Sequence, residues 1–149
     1  MKLLVAVDGS EASENALTYA ATLADAMDGS ITVVHAADPT VHDEGGNEPD
    51  VSLWDADQRL VLESVADVEQ RGLDLLDDAS AVADDLGHDV AVELLYGNPV
   101  AEIADYAEAE GFDTIFVGHR GRSERAGLML GSVAKSLVER ATVPVTVVR

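Results

Sequence analysis

Most of what could do chemistry in this chain lies between Val117 and Val133. Gly118 and Gly121 are separated by two residues, and nine more precede the pair Gly131-Ser132. An apolar run leads into the stretch and a helix-like run leads out of it. Glycines let backbone N–H groups approach oxygen atoms closely, and a helix N-terminus adds positive potential. A loop of this kind between a strand and a helix therefore suits an anion, phosphate above all. Arg120, Arg122 and Arg125 fall in the same stretch and are candidate partners for phosphate charge. A second constellation, Asp8-Gly9-Ser10, places a carboxylate and a hydroxyl on a tight turn after the first apolar run.

The charge pattern sharpens the first of these. The 149 residues carry 29 acids against 9 Lys and Arg, a net charge of −20. Residues 118–149 hold six of the basic groups and only two acids, Glu124 and Glu139. The scarce positive charge is thus gathered around the glycine loop, as expected for a loop that faces an anion. The acidity elsewhere argues against non-specific binding to nucleic acid or to anionic membranes. Acids interleaved with apolar residues, and few lysines, suit high intracellular salt, where repulsion is screened; a halophilic source is expected.

Hydrophobic residues make up 47% of the chain, enough for one domain with one core over residues 1–149. No apolar run reaches the length of a membrane span. The N-terminal apolar run is too short for a leader and meets an acid at Asp8, so a cytoplasmic protein is expected. The absence of cysteine excludes disulfides and thiolate metal sites. His35, His42 and His88 show no metal-ligand spacing and read as structural or solvent-facing.

The elements that must position these residues follow in order. Lys2–Val7 reads as a strand. Ser10 is a good N-cap, with Glu11 and Glu14 in the first turn, and apolar residues at helical spacing run from Ala12 to Met27 before Gly29 ends the helix. Ser30–Ala37 is a second strand, parallel to the first. Asp38–Asp50 reads as a loop. A long helix is expected from near Leu53–Ala56 to Leu86, past Trp54. Its apolar face would be Leu60, Val61, Val65, Val68, Leu73, Leu76, Ala79 and Val82, and Gly72 interrupts it. Val90–Tyr96 is a third strand, and Asn98-Pro99 opens a helix with proline at its first position. Thr114–Val117 is a fourth strand, apolar enough to be covered on both faces. Ser132–Ala141 is a helix with Val133, Leu137 and Val138 inward, and Pro144–Val148 is the last strand. Alternating strands and helices predict a doubly wound α/β fold with a parallel sheet. If the first and fourth strands are neighbours, Asp8-Gly9-Ser10 and the glycine loop form two walls of one crevice.

In order along the whole chain, these residues resemble the universal stress protein family. Gly118-x-x-Gly121, nine residues, Gly131-Ser132, a short helix and Val-Pro-Val-Thr-Val-Val resemble that family's nucleotide-binding signature. Leu4-Val-Ala-Val-Asp-Gly-Ser10, Tyr96-Gly-Asn-Pro99 and Asp113-Thr-Ile-Phe-Val-Gly118 resemble its other conserved segments. The resemblance implies a five-stranded sheet of order 3-2-1-4-5 with helices on both faces, like the adenine nucleotide alpha hydrolases. It implies a small regulatory protein of the stress response that binds ATP (or ADP or AMP) with Mg²⁺. It also implies a homodimer paired through the C-terminal strand Val143–Val148.

Under that resemblance each residue has a role. Gly118 and Gly121 would let the backbone bend under ribose and phosphates. Gly131, Ser132 and Val133 would offer N–H groups to phosphate. Val7, Asp8, Gly9 and Ser10 would line the opposite wall, with Asp8 on the nucleotide or, through water, on Mg²⁺. Ala36 and Val117 would contact adenine, and Arg120 or Arg122 the phosphates or sugar. At His119-Arg120 the chain departs from the small residue followed by histidine found in many ATP-binding members. No nucleophile–base–orienter set is visible, so a binding protein is expected, with slow ATP turnover the most it would show. An adenylating or pyrophosphatase-type enzyme would carry a Ser-Gly-Gly-x-Asp-Ser loop where Val7-Asp8-Gly9-Ser10-Glu11 stands. A nucleotide-independent, chaperone-like dimer is the third reading.

Overall fold

Side chains alternate between the two faces of a strand, and the apolar runs of this chain are sorted by that alternation into two cores. The computed structural model describes residues 1–38, 57–121 and 130–149, with residues 57–64 described by their backbone alone. The loop after Asp38, Trp54, the expected helix start, the Leu60 and Val61 side chains, Arg122 and Arg125 lie outside the described residues. Within them the chain runs β1 (Lys2–Ala6), α1 (Glu11–Met27), β2 (Ser30–Ala37), α2 (Asp57–Asp85), β3 (Ala91–Tyr96), α3 (Pro99–Ala109), β4 (Thr114–Gly118), α4 (Ser132–Arg140) and β5 (Val145–Val148).

The strands form one parallel sheet of order β3-β2-β1-β4-β5, the doubly wound arrangement expected. β1 lies at its centre, with Leu3 opposite Ile31 on one side and Thr114 on the other. Leu3, Val5, Val33 and Phe116 face α1 and α2, where Ala16, Leu17 and Leu76 meet them. Leu4, Ala6, Val34 and Ile115 face α3 and α4, where Ile103 and Leu137 meet them. Leu3, Leu4 and Leu17 are fully buried or nearly so, each worth about 1.5–3 kcal/mol of transfer free energy.

Three details differ from the pattern expected of the sequence. α1 ends at Met27, two residues before Gly29, with Asp28 as its C-cap. Asp28 takes the left-handed conformation at φ 51, and both its N–H and that of Gly29 return to the Ala24 carbonyl. α2 runs unbroken through Gly72, and its inward row is Gly72, Leu76, Ala79 and Ala83, whereas Val65 and Leu73 are exposed. In α4 the buried residues are Ala134 and Leu137, and Val133 and Val138 are exposed. In both helices a small residue, Gly72 or Ala134, lies on the buried face.

Candidate functional site

The carboxyl ends of β1 and β4 lie side by side where the strand order reverses, the place where open α/β sheets take ligands. The turn after β1 is closed on itself. Gly9 makes it with φ 81. The Asp8 carboxylate accepts the Ser10 N–H through Oδ1 at 2.9 Å. Ser10 Oγ then caps α1 by accepting the Ser13 N–H at 3.1 Å, and Ser13 Oγ donates to the Ser10 carbonyl at 2.9 Å. Before the turn, the Val7 N–H donates to the Val34 carbonyl at 2.9 Å, and the Val7 carbonyl accepts from His35 Nδ1 at 2.7 Å.

The loop after β4 is laced to this turn. Ser10 Oγ donates to the Arg120 carbonyl at 3.4 Å. A Cβ on Gly121 would lie 2.9 Å from Asp8 Oδ2, so glycine there is what leaves room for the carboxylate. The far end of the loop is tied back as well. The Gly131 N–H donates to the His119 carbonyl at 2.6 Å, while the His119 N–H donates to the Val148 carbonyl at 2.7 Å. Gly131 is the N-cap of α4, in extended conformation and with no side chain to bond the first-turn N–H groups. The first turn of α4 also carries no acid.

These walls enclose a crevice of about 510 Å³, within the range of roughly 300–1,000 Å³ typical of small-molecule sites. Val7, Asp8 and Ser10 line it from the first turn, Ala36 from β2, and Val117, Gly118, Arg120 and Gly121 from β4 and its loop. Gly131, Ser132 and Val133 line it from the start of α4. Twelve of the thirteen residues expected to contact the ligand lie among the described residues, and eleven of these share this one crevice. Gly9 makes the turn without lining it.

Two expected residues carry structural contacts as well. Gly118 is not in the loop but is the last residue of β4, in register with Val148. A Cβ on it would lie 2.8 Å from the Ala12 Cβ and carbonyl carbon and from the Ser13 nitrogen, so it is glycine because α1 presses on the strand there. The Gly131 N–H is taken by the His119 carbonyl, and as N-cap Gly131 brings no side-chain bond to the first turn of α4. Arg120 Nε donates to His119 Nε2 at 3.0 Å, which leaves the imidazole proton on Nδ1. Nδ1 is buried with no partner among the described residues. The pKa shifts in the described residues fall outside the crevice. Tyr96 is raised by its hydrogen bond to Glu69, and Tyr106 by burial and then by the charges of Glu93 and Glu110.

The model of the universal stress protein family matches residues 1–149. The chain belongs to that family. It is 33% identical over 150 residues to the universal stress protein YxiE of Bacillus subtilis, covering 99% of this chain and 98% of that one. Among solved structures it resembles the universal stress protein UspA of Lactobacillus plantarum, with a TM-score of 0.79, 24% identity, and 100% and 97% of the two chains covered. It also resembles a universal stress protein of Archaeoglobus fulgidus in complex with dAMP, with a TM-score of 0.67, 23% identity, and 100% and 98% covered. At these identities the structural likeness establishes the fold of the family.

Several lining residues were not anticipated. His35 and Asp38 enter at the end of β2, Val68, Arg71 and Leu75 from α2, and Asn98 from the N-cap of α3. Arg71 carried a readable signal: it is one of three basic residues in the first 117, and Val68, Arg71 and Leu75 recur at three and four residues.

Proposed function

We propose that this crevice binds an adenine nucleotide, ATP in the first place, and that nucleotide occupancy is the regulatory signal of a small stress-response protein. The observation that carries the reading is the pairing of two ends in one crevice. At one end Ala36 and Val117 offer small apolar walls to a planar base. At the other, α4 opens without a side-chain cap or an acid in its first turn, and Arg120 lines the same space. A helix start left in that state attracts phosphate. The related structure with dAMP supports the nucleotide class. Mg²⁺, when bound, would offset phosphate charge. It retains several waters and takes few protein carboxylates, which fits Asp8 as a contact through water, since its Oδ1 already holds the Ser10 N–H.

The protein acts as one cytoplasmic domain and as a homodimer. β5 is an edge of the sheet, and an apolar edge needs cover; antiparallel pairing of Val143–Val148 across a two-fold axis supplies it. The acid-rich surface fits work at high salt. Light scattering in concentrated salt should give about twice the chain mass of 15.6 kDa. For the site, protein purified without added nucleotide is denatured and the supernatant run on an anion-exchange column, with calorimetric titration in parallel. Recovery of ATP, ADP or AMP, or saturable ATP binding, supports the reading. Absence of both at high salt overturns it.

A further inference from the structure

We propose that His35 is a positioning residue of the crevice: it fixes the Val7 carbonyl and, through it, the Asp8 carboxylate. This rests on the reading of the crevice as a nucleotide site with Asp8 on its wall. The ladder between β1 and β2 ends at Ala6 opposite Val34, and the Val7 N–H adds one more rung to the Val34 carbonyl. The rung after that comes from a side chain. His35 Nδ1 lies 2.7 Å from the Val7 carbonyl oxygen. A carbonyl can only accept, so Nδ1 carries the proton. A backbone carbonyl at the end of a buried strand needs such a donor, and here the donor fixes the peptide that leads directly into Asp8.

The ring is itself held in place. α2 passes over it at Gly72, where a Cβ would come 3.1 Å from His35 Cδ2, 3.8 Å from Nε2 and 2.8 Å from Leu94 Cδ1. The glycine that interrupts the apolar pattern of α2 is thus the notch that seats the imidazole. From α2 the contacts run through Gly72 to the His35 ring, to the Val7 carbonyl and to Asp8. The carboxylate at the end of this series is held at Oδ1 by the Ser10 N–H, and the absence of a side chain at Gly121 leaves room for Oδ2. His35 and Asp8 both line the crevice, so a shift of Val7 moves a wall of the site.

The test titrates ATP into wild type, His35→Leu, His35→Asn, Asp8→Asn and the His35→Leu/Asp8→Asn double variant at one salt concentration. His35→Leu removes the donor, whereas the Asn amide nitrogen can occupy the place of Nδ1. Loss of one such hydrogen bond weakens binding by roughly tenfold. Binding within about threefold of wild type is expected for His35→Asn. In the Asp8→Asn background the leucine substitution should cost less than about twofold, because residues acting as one unit are not additive. Unchanged affinity in His35→Leu, no recovery in His35→Asn, or an equal loss with and without Asp8 overturns the proposal. A second readout needs no nucleotide. The amide proton of Ser10, bound to Asp8 Oδ1, should shift in the NMR spectrum of His35→Leu and return in His35→Asn. If wild type binds no nucleotide while Ser10 behaves in this way, the ligand reading fails and the positioning role stands; an unmoved Ser10 resonance overturns the role itself. Should His35→Leu fail to fold, Gly72→Ala crowds the ring from α2 and carries the same two readouts.

Discussion

Two helices start at the carboxyl ends of neighbouring parallel strands, and the chain treats their N-termini in opposite ways. α1, after β1, is sealed. Ser10 caps it, Asp8 holds the Ser10 N–H, and Glu11 and Glu14 oppose the helix dipole in the first turn. α4, on the β4 side, begins at a glycine with no side-chain cap and no acid in its first turn, although the chain contains 29 acids. α3, near the same crevice, resembles α1: Asn98 caps it and Glu102 stands in its first turn. Four N–H groups at a helix start have no partner within the helix. At α1 and α3 the N-cap side chain satisfies one of them and closes a wall; at α4 the N-cap glycine offers no side chain to do so.

The largest expected effect breaks the sealed side. Gly118→Ala places a Cβ 2.8 Å from backbone atoms of Ala12 and Ser13. Backbone cannot swing aside as a side-chain end can, so α1 must shift off β4, at a cost of about 3 kcal/mol. Denaturant unfolding should show the midpoint falling with the slope unchanged. A midpoint equal to wild type would mean that α1 does not press on Gly118 in solution.

The next effect converts the open side into a copy of the sealed one. Gly131 has φ −65 and ψ 156, which any residue adopts. In Gly131→Asp the carboxylate would cap α4 and oppose its dipole, stabilising the free protein by about 0.5 kcal/mol. The same carboxylate would repel phosphate, so ATP affinity should fall by about tenfold or more, on the order of 2 kcal/mol. Thermal unfolding and calorimetry check the two arms, and the opposite signs are the point of the experiment. If stability and affinity fall together, the open N-terminus is a defect of packing and not a site. Ser10→Ala should do less, and with one sign only. It removes the cap of α1 and the bond to the Arg120 carbonyl, lowering stability by about 1 kcal/mol. An unfolding midpoint unmoved by Ser10→Ala would show that water replaces the cap without loss.

The same contrast shows what could be read from the sequence. Strand and helix order was legible because β1, β2 and β4 are rich in apolar residues and Gly9, Gly29, Gly87, Gly97, Gly111 and Pro144 fall between elements. The sealed start of α1 was also legible, since Ser10, Glu11 and Glu14 act on their own neighbours. What was not legible depended on contacts between distant elements. Gly118 looks like a loop glycine, and only the approach of Ala12 shows that it serves packing. Gly131 looks like a donor to phosphate until His119 is seen to take its N–H. On α4 Leu137 faces inward as expected, but Val133 and Val138 were the more apolar choice beside it and proved exposed. The second buried position is Ala134, a small side chain against the sheet. Arg71 escaped notice, and His35 was read as structural or solvent-facing, because neither belongs to a glycine motif; the first is recognisable by its rarity of charge, the second only by its bond to Val7.

The smallest expected effect lies where the two sides meet, at Gly121 and Asp8. A Cβ on Gly121 would stand 2.9 Å from Asp8 Oδ2. Unlike the neighbours of Gly118, the atom it meets ends a short side chain, so a rotation of a few tenths of an ångström relieves the contact. Gly121→Ala should therefore cost less than about 1 kcal/mol of stability. The rotation strains the bond between Asp8 Oδ1 and the Ser10 N–H, now 2.9 Å, and turns the carboxylate within the crevice. ATP affinity should fall by about threefold, a fraction of one hydrogen bond, with most of that loss absent once Asp8 is already asparagine. A larger loss that persists in Asp8→Asn would place Gly121 in direct contact with the nucleotide, and the second glycine of the loop would then serve the ligand and not the opposite wall.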